Sequence, residues 1–214
     1  MQKKVIDIRH ASSLGNYCFS ASVLREIGIR KTPMPFDWVF TTPKTTAAII
    51  EDDFQKFLDK KYYVDIAKKE KEEKKQAGHS LYHENFFNHK DPRQAEDYDY
   101  YLMCVDNFQN FLNFKNTKLF FCSYKNLLQK MDRFLVSDIF KLNNILSKKT
   151  SNYYLLCHIN YPFNKKINYN IFNLNNIVFF EFYSLQYNDG LGYPNEKDEE
   201  AFYYVFNNLF NYVK

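Results

Sequence analysis

Hydrophobic and polar positions alternate along the chain in two distinct rhythms. Residues 117–124, 153–160 and 177–183 are short, nearly continuous apolar runs, the pattern of strands buried on both faces. Residues 5–8 make a shorter candidate strand. Between these runs the apolar residues recur at helical spacing. Ala21, Leu24 and Ile27 share one face of a segment that closes near Gly28. Thr42 before Pro43 reads as an N-cap with proline at the first helical position, opening a helix that turns Ala47, Ile50, Phe54, Phe57 and Leu58 inward.

Further helices are predicted over 95–114, with Tyr98, Tyr101, Val105, Phe108 and Leu112 in one stripe, and through Leu128, Met131, Leu135, Ile139, Leu142 and Leu146. The last covers 199–213 and buries Phe202, Val205, Phe206, Leu209, Phe210 and Val213. Strands that alternate with amphipathic helices imply an α/β fold with a mostly parallel sheet flanked by helices. The expectation is a single three-layer domain over residues 1–214, with a polar insertion around 60–94. Such sheets bind ligands beyond the C-terminal ends of their strands, and the turn before Cys18 is predicted to lie at one such end.

Composition narrows the function. The chain is 45% hydrophobic and 25% charged, as for an ordinary globular protein. It has only 5 glycines and neither a G-x-G-x-x-G nor a phosphate-loop run, which argues against glycine-cradled nucleotides. The net charge of +4 is weak, and acids dilute the bases in the run at 68–75, so no nucleic-acid partner is expected. No stretch approaches the ~20 apolar residues of a membrane span. The first residues also lack the apolar core of a signal peptide. The four cysteines show neither C-x-x-C pairing nor a disulfide framework. A cytoplasmic protein without membrane contact or cofactor is the expectation, and the oligomeric state stays open.

Chemistry concentrates at Ser13-Leu14-Gly15-Asn16-Tyr17-Cys18. A cysteine in the first turn of a helix feels the positive end of the helix dipole, which favours the nucleophilic thiolate. The same backbone N–H groups can hold an oxyanion. A small cysteine packed behind the helix explains the position equally well. Cys104, Cys122 and Cys157 lie in apolar patterns and read as structural. A cysteine nucleophile needs a base, most often histidine. His10 precedes the turn and His158 lies in a core strand pattern, while His83 sits in an alternating segment. From the residues alone, a structural role for His83 is the stronger reading. His79 and His83, with Glu84 and His89 nearby, could face a metal only on a helix, and Gly78 marks loop or strand there; no metal is expected.

Ser13-Leu14-Gly15-x-x-Cys18, Leu24-Arg25-x-x-Gly28-x-Arg30, Pro35-Phe36-Asp37-Trp38-Val39 and Asp53-Phe54-x-x-Phe57-Leu58 resemble the papain-like cysteine peptidase family of unassigned biological role. The likeness is specific over residues 5–60, moderate to about 125 and loose afterwards. That family carries a Tyr-His-acid motif after a variable polar stretch, which Tyr82-His83-Glu84 matches in kind and order. The resemblance thus implies Cys18 as nucleophile and His83 as its partner. The glutamine that papain itself places before its cysteine has no counterpart; Ser12, Ser13 and Asn16 occupy that stretch.

Asp37, fixed between prolines and aromatics, is the candidate orienting or charge-pairing carboxylate, with turn capping as its alternative. Trp38 is the candidate pocket wall. Arg25 and Arg30 are candidates for an anionic group on the ligand or for pairing with Asp37. Ser13, Gly15 and Asn16 complete the expected substrate-binding set. Together these features point to a cysteine-dependent hydrolase or acyl transferase acting on a small-molecule, acyl or peptide substrate. The alternative is a non-catalytic module that binds a glycan or nucleotide-sugar.

Overall fold

A computed structural model describes residues 6–66, 76–127, 130 and 132–213. The charge run at 68–75 and the expected helical positions Leu128 and Met131 lie outside the described residues. In chain order the elements are β1 (Asp7–Ile8), β2 (His10–Ser13), α1 (Phe19–Glu26), α2 (Pro43–Glu51), β3 (Tyr63–Val64), β4 (Ala77–His79), β5 (His83–Phe87) and α3 (Ala95–Leu112). They continue with β6 (Lys118–Lys125), α4 (Arg133–Lys149), β7 (Tyr153–Tyr161), β8 (Asn168–Leu174), β9 (Ile177–Tyr183), α5 (Glu196–Leu209) and β10 (Asn211–Tyr212).

The fold is mixed α/β, with a mostly parallel five-stranded main sheet in the order β2-β6-β7-β9-β8. Alternation along each strand explains the continuous apolar runs. Phe120, Cys122 and Tyr124 of β6 enter one core with Ile50, Phe108 and Leu142. Leu119 and Phe121 enter the other with Val23, Leu24, Phe202 and Phe206. Residues of α2, α3 and α4 share the first cluster, and residues of α1 and α5 share the second. A strand whose alternate side chains both enter apolar clusters needs no polar side, so no alternation survives in its sequence.

The start of α2 is set as expected, but the helix stops at Glu51, so Phe54 and Phe57 are buried, and Leu58 half-buried, from the segment that follows it. Thr42 Oγ1 accepts from Thr45 N at 3.1 Å and Pro43 follows as the first helical residue. Asp132 Oδ1 accepts from Phe134 N at 2.9 Å and starts α4.

Other expectations are corrected. The first strand of the main sheet is His10–Ser13, so Ser12 and Ser13 belong to a strand and not to the turn. The last helix stops at Leu209, because Asn211 N and Val213 N donate to Ile6 O and Ile8 O and form the small β1–β10 pairing. The expected polar insertion holds a three-stranded antiparallel sheet, β3-β4-β5. Gly78 is required there, since a Cβ would meet Glu84 O at 2.3 Å. Strand β8 was not expected at all. Each of its residues is exposed, and its alternation is short, running from Asn168 to Ile171 and breaking at Phe172. It pairs antiparallel with β9 through a two-residue turn, with Asn175 at φ +55°.

At the centre of the second core, fully buried His158 pairs through Nδ1 with Ser123 Oγ at 2.7 Å and through Nε2 with Tyr193 Oη at 3.2 Å. Both ring nitrogens have neutral partners, and burial pushes the imidazole pKa down to about 3. The folded ring stays neutral where the unfolded one, near 6.5, takes up a proton. Stability from this site is therefore complete above about pH 6.5 and is lost as pH falls toward about 3, at roughly 1.4 kcal/mol per unit. In a proton-carbon NMR titration His158 should keep neutral-imidazole shifts down to pH ~5. A midpoint near 6.5 for this ring would contradict the assignment.

Candidate active site

The site is built on the turn that joins β2 to α1. Leu14 N extends the parallel ladder by donating to Phe121 O at 2.8 Å, and the chain then reverses through two successive left-handed residues. Gly15 and Asn16 both have φ of +78°. A Cβ on Gly15 would lie 2.5 Å from Thr41 Cγ2 and 3.3 Å from Phe36 O, so only glycine fits. Asparagine is among the few other residues that tolerate this region, and Asn16 Nδ2 is anchored to Ser123 O at 2.9 Å. Ser13 Oγ accepts from Gly15 N at 3.1 Å and lies 2.7 Å from Ser20 Oγ. Ser13 thus braces the turn from within the core.

The turn delivers Cys18 as the residue that opens α1, with Ser22 N donating to Cys18 O at 2.9 Å. Its side chain lines a cleft of about 570 Å³. The other walls come from Asn16 and Tyr17, Phe40, Asn88 and His89, and Lys125 with the 189–191 loop. Asn16 follows β2, Lys125 ends β6, and the 189–191 loop lies beyond β9. The cleft therefore sits at the C-terminal ends of the parallel strands, where an α/β sheet leaves its loops open to a ligand. Cys104, Cys122 and Cys157 are fully buried, and burial raises the thiol pKa of Cys104 and Cys157.

The histidine beside the sulfur is His89, whose Nε2 lies 3.4 Å from Cys18 Sγ. The expected partner, His83, occupies the opposite end of β5. Its ring lies 6.1 Å from that of Phe40, and its Nδ1 accepts from Asn85 N at 3.0 Å. The correction has a simple geometric source. Residues 84–88 separate the two histidines, most of them extended at ~3.3 Å per residue, so only the His89 end reaches Cys18. Residues 38–40 run beside this hairpin, with Val39 paired antiparallel to Phe87 and Phe40 N donating to Phe86 O.

Sequence reasoning also missed Asn88 and Gln76. Asn88 Nδ2 lies 3.2 Å from His89 Nε2, and Gln76 Nε2 donates to Asn88 Oδ1 at 2.8 Å. The buried Gln76 thereby fixes which way the Asn88 amide faces. The only sequence signal was adjacency, an amide next to a histidine after an alternating run.

The structure gathers Arg25, Arg30, Asp37 and Trp38 together, but outside the walls of the cleft. Asp37 is fully buried and accepts from Arg30 Nε at 2.8 Å, from Arg30 Nη2 at 2.6 Å and from Met34 N at 2.8 Å. Burial pushes its carboxyl up to about 6, against the pull of Arg30. The guanidinium carbons of Arg25 and Arg30 stand 5.6 and 5.7 Å from the Trp38 ring. The edge of that indole meets the His89 ring at 5.9 Å and 73°. Asp37 thus holds the 34–37 turn and Arg30, and Trp38 carries the cluster up to His89.

His79 is buried, stacked on Tyr82 at 4.0 Å, with Nε2 on Lys56 O and Nδ1 accepting from Leu81 N. Among the described residues no group of three His, Cys, Asp or Glu side chains is placed to hold a metal ion. No helix among them is long and apolar enough to cross a membrane.

The arrangement defines a class: an α/β protein with a cysteine at a helix N-terminus, facing a histidine carried by a β-hairpin. Residues 9–141 match the family described as "Putative papain-like cysteine peptidase (DUF1796)", and the chain belongs to that family. The matched span contains Cys18, Asp37, His83, Asn88 and His89, and ends within α4. Neither a curated protein nor a solved structure matches the chain.

Two substitutions separate chemistry from stability here. Cys18→Ala removes a small side chain at the rim of a cleft and should leave the melting temperature within a few degrees. Asp37→Ala strips the partly buried Arg30 of its partner, a loss of about 3–5 kcal/mol, and should lower the melting temperature by roughly 6–20 °C. Differential scanning calorimetry of the two variants checks this, and a Cys18→Ala loss as large as that of Asp37→Ala would make Cys18 a packing residue.

Proposed function

We propose that the protein is a cysteine-dependent hydrolase or acyl transferase in which Cys18 is the nucleophile and His89 its base. The 3.4 Å approach of His89 Nε2 to Cys18 Sγ, at the mouth of a helix and inside a cleft, carries the reading. His89 takes the thiol proton as the sulfur attacks the carbonyl carbon of an acyl or peptide substrate. The first-turn amides of α1 have no helical acceptors, and together with the Asn88 amide they supply donors for the developing oxyanion. When the tetrahedral intermediate collapses, the bond to the leaving group breaks and His89 returns the proton to it. A thioester on Cys18 remains, to be released by water or by a second nucleophile.

In this reading Trp38 positions the His89 ring, and the Asp37–Arg30 pair holds Trp38 in turn. His83 has no catalytic part. The three-layer arrangement and cytoplasmic setting expected from the sequence are kept as part of the proposal. Support comes from the two cores on opposite faces of β6 and from the reduced thiol that the chemistry needs.

The test is single-turnover acylation by activated thioesters and esters, followed by intact-protein mass spectrometry. One acyl group should appear on Cys18. His89→Ala should slow its arrival roughly 10²–10⁴-fold, the usual worth of a general base, and His83→Ala less than threefold. No adduct on Cys18 with any probe, alongside a rise in melting temperature with a glycan or nucleotide-sugar, would replace the enzyme with a binding module.

A further inference from the structure

The charge in the cleft is not where the sequence placed it. Arg25 and Arg30 are turned onto Trp38, and Arg30 is neutralised by Asp37. The lysine among the cleft-lining residues is Lys125, the last residue of β6. Its ammonium lies 4.7 Å from the centre of the Tyr17 ring and 5.4 Å from that of Tyr187. Tyr17 adjoins Cys18 in the chain and is itself pinned, its hydroxyl 3.2 Å from Ser123 Oγ. Lys125 is therefore held by aromatic faces on the same wall as the nucleophile.

Nothing among the described residues forms an ion pair with Lys125. Asp189 is the acidic residue of the cleft, and it tempers the charge at a distance. Its Oδ1 is committed to its own loop, accepting from Leu191 N at 2.8 Å and Gly192 N at 3.0 Å. Tyr17, Phe40 and Leu191 give the cleft its apolar walls, and Asn16, Asn88 and His89 its neutral polar ones. The side chain is exposed at the cleft, and what burial it has favours the neutral amine, so an anion beside it would favour the charged form.

We infer that Lys125 is a specificity-determining residue, and that the substrate bears an anionic group, a carboxylate or phosphate, beside the acyl carbon that Cys18 attacks. This deepens the reading of the site as a cysteine enzyme and rests on it. An ammonium is a point charge without the planar fork of arginine, so it selects for negative charge rather than for one anion's shape. The apolar walls would hold the uncharged body of the same molecule.

The test uses two alkylating reagents of similar size, anionic iodoacetate and neutral iodoacetamide. Each forms a sulfur–carbon bond at Cys18 and releases iodide. The quantity read is the ratio of the two rates at Cys18, by peptide mass spectrometry, which divides out any general change in thiol reactivity. Lys125→Met should lower the iodoacetate-to-iodoacetamide ratio about tenfold, and Lys125→Arg should keep it near the native value. The native ratio should also fall as salt is raised, as expected of a partly exposed charge. Glutarate and inorganic phosphate, added separately, should each slow native iodoacetamide labelling, and the stronger protector identifies the anion. An unchanged ratio in Lys125→Met, or a Cys18 that neither reagent reaches, would overturn the assignment. Failure of acylation with an intact, Lys125-dependent ratio would instead overturn the enzyme reading and leave the anion site standing.

Discussion

Two consecutive left-handed residues after a parallel edge strand are the constraint on which this molecule depends. Strand β2 ends against β6, and the chain must reverse at once to start α1 on the opposite face of the sheet. Gly15 makes the reversal by passing within a methyl group of Thr41 and the Phe36 carbonyl. Asn16 completes it by spending its amide on Ser123 O. Any residue with a side chain at position 15 would push the segment containing Phe36, Asp37 and Trp38 away from the turn. The same contact therefore fixes the position of Cys18 and the placement of the cluster that reaches His89.

From this turn the site assembles by layers. The parallel strands deliver Asn16, Lys125 and the 189–191 loop to one end of the sheet. The small antiparallel sheet delivers His89 and Asn88 from the side. Residues 38–40 join the two by pairing Val39 with Phe87 and by setting Trp38 against the His89 ring. Buried polar networks then hold each part in place: Ser123 with His158 and Tyr193, Gln76 with Asn88, and Arg30 with Asp37. Each binds its members within its own part of the structure, although Asp37 Oδ1 is left without a hydrogen-bond partner among the described residues because all three donors go to Oδ2.

Much of the frame was legible in the sequence. The apolar runs at β6, β7 and β9 and the Thr42–Pro43 helix start reflect forces that act on neighbouring residues, and such forces leave periodic traces. Cys18 was legible because a small-residue turn before an amphipathic helix is itself a local pattern. His89 was not. Its proximity to Cys18 depends on how the hairpin docks, a tertiary fact with no period, and the Tyr82-His83-Glu84 match drew attention to the end that lies away from Cys18. Lys125 was hidden at the tail of an apolar strand, while Arg25 and Arg30 were conspicuous and turned out to serve Trp38 and Asp37. Strand β8 was overlooked because its polar–apolar alternation, Asn168 to Ile171, is short and breaks at Phe172 within an asparagine-rich stretch.

Coupling between the Cys18 sulfur and the His89 ring is the central claim, and an NMR titration of the imidazoles in the native protein and in Cys18→Ser measures it directly. A thiolate next to an imidazole stabilises the protonated ring, and two such groups titrate as a pair. Loss of the thiolate should therefore lower the titration midpoint of His89 by about one unit or more, while the resonances of His83 stay where they were. A His89 midpoint unmoved by the substitution, or a shift confined to His83, would contradict the account.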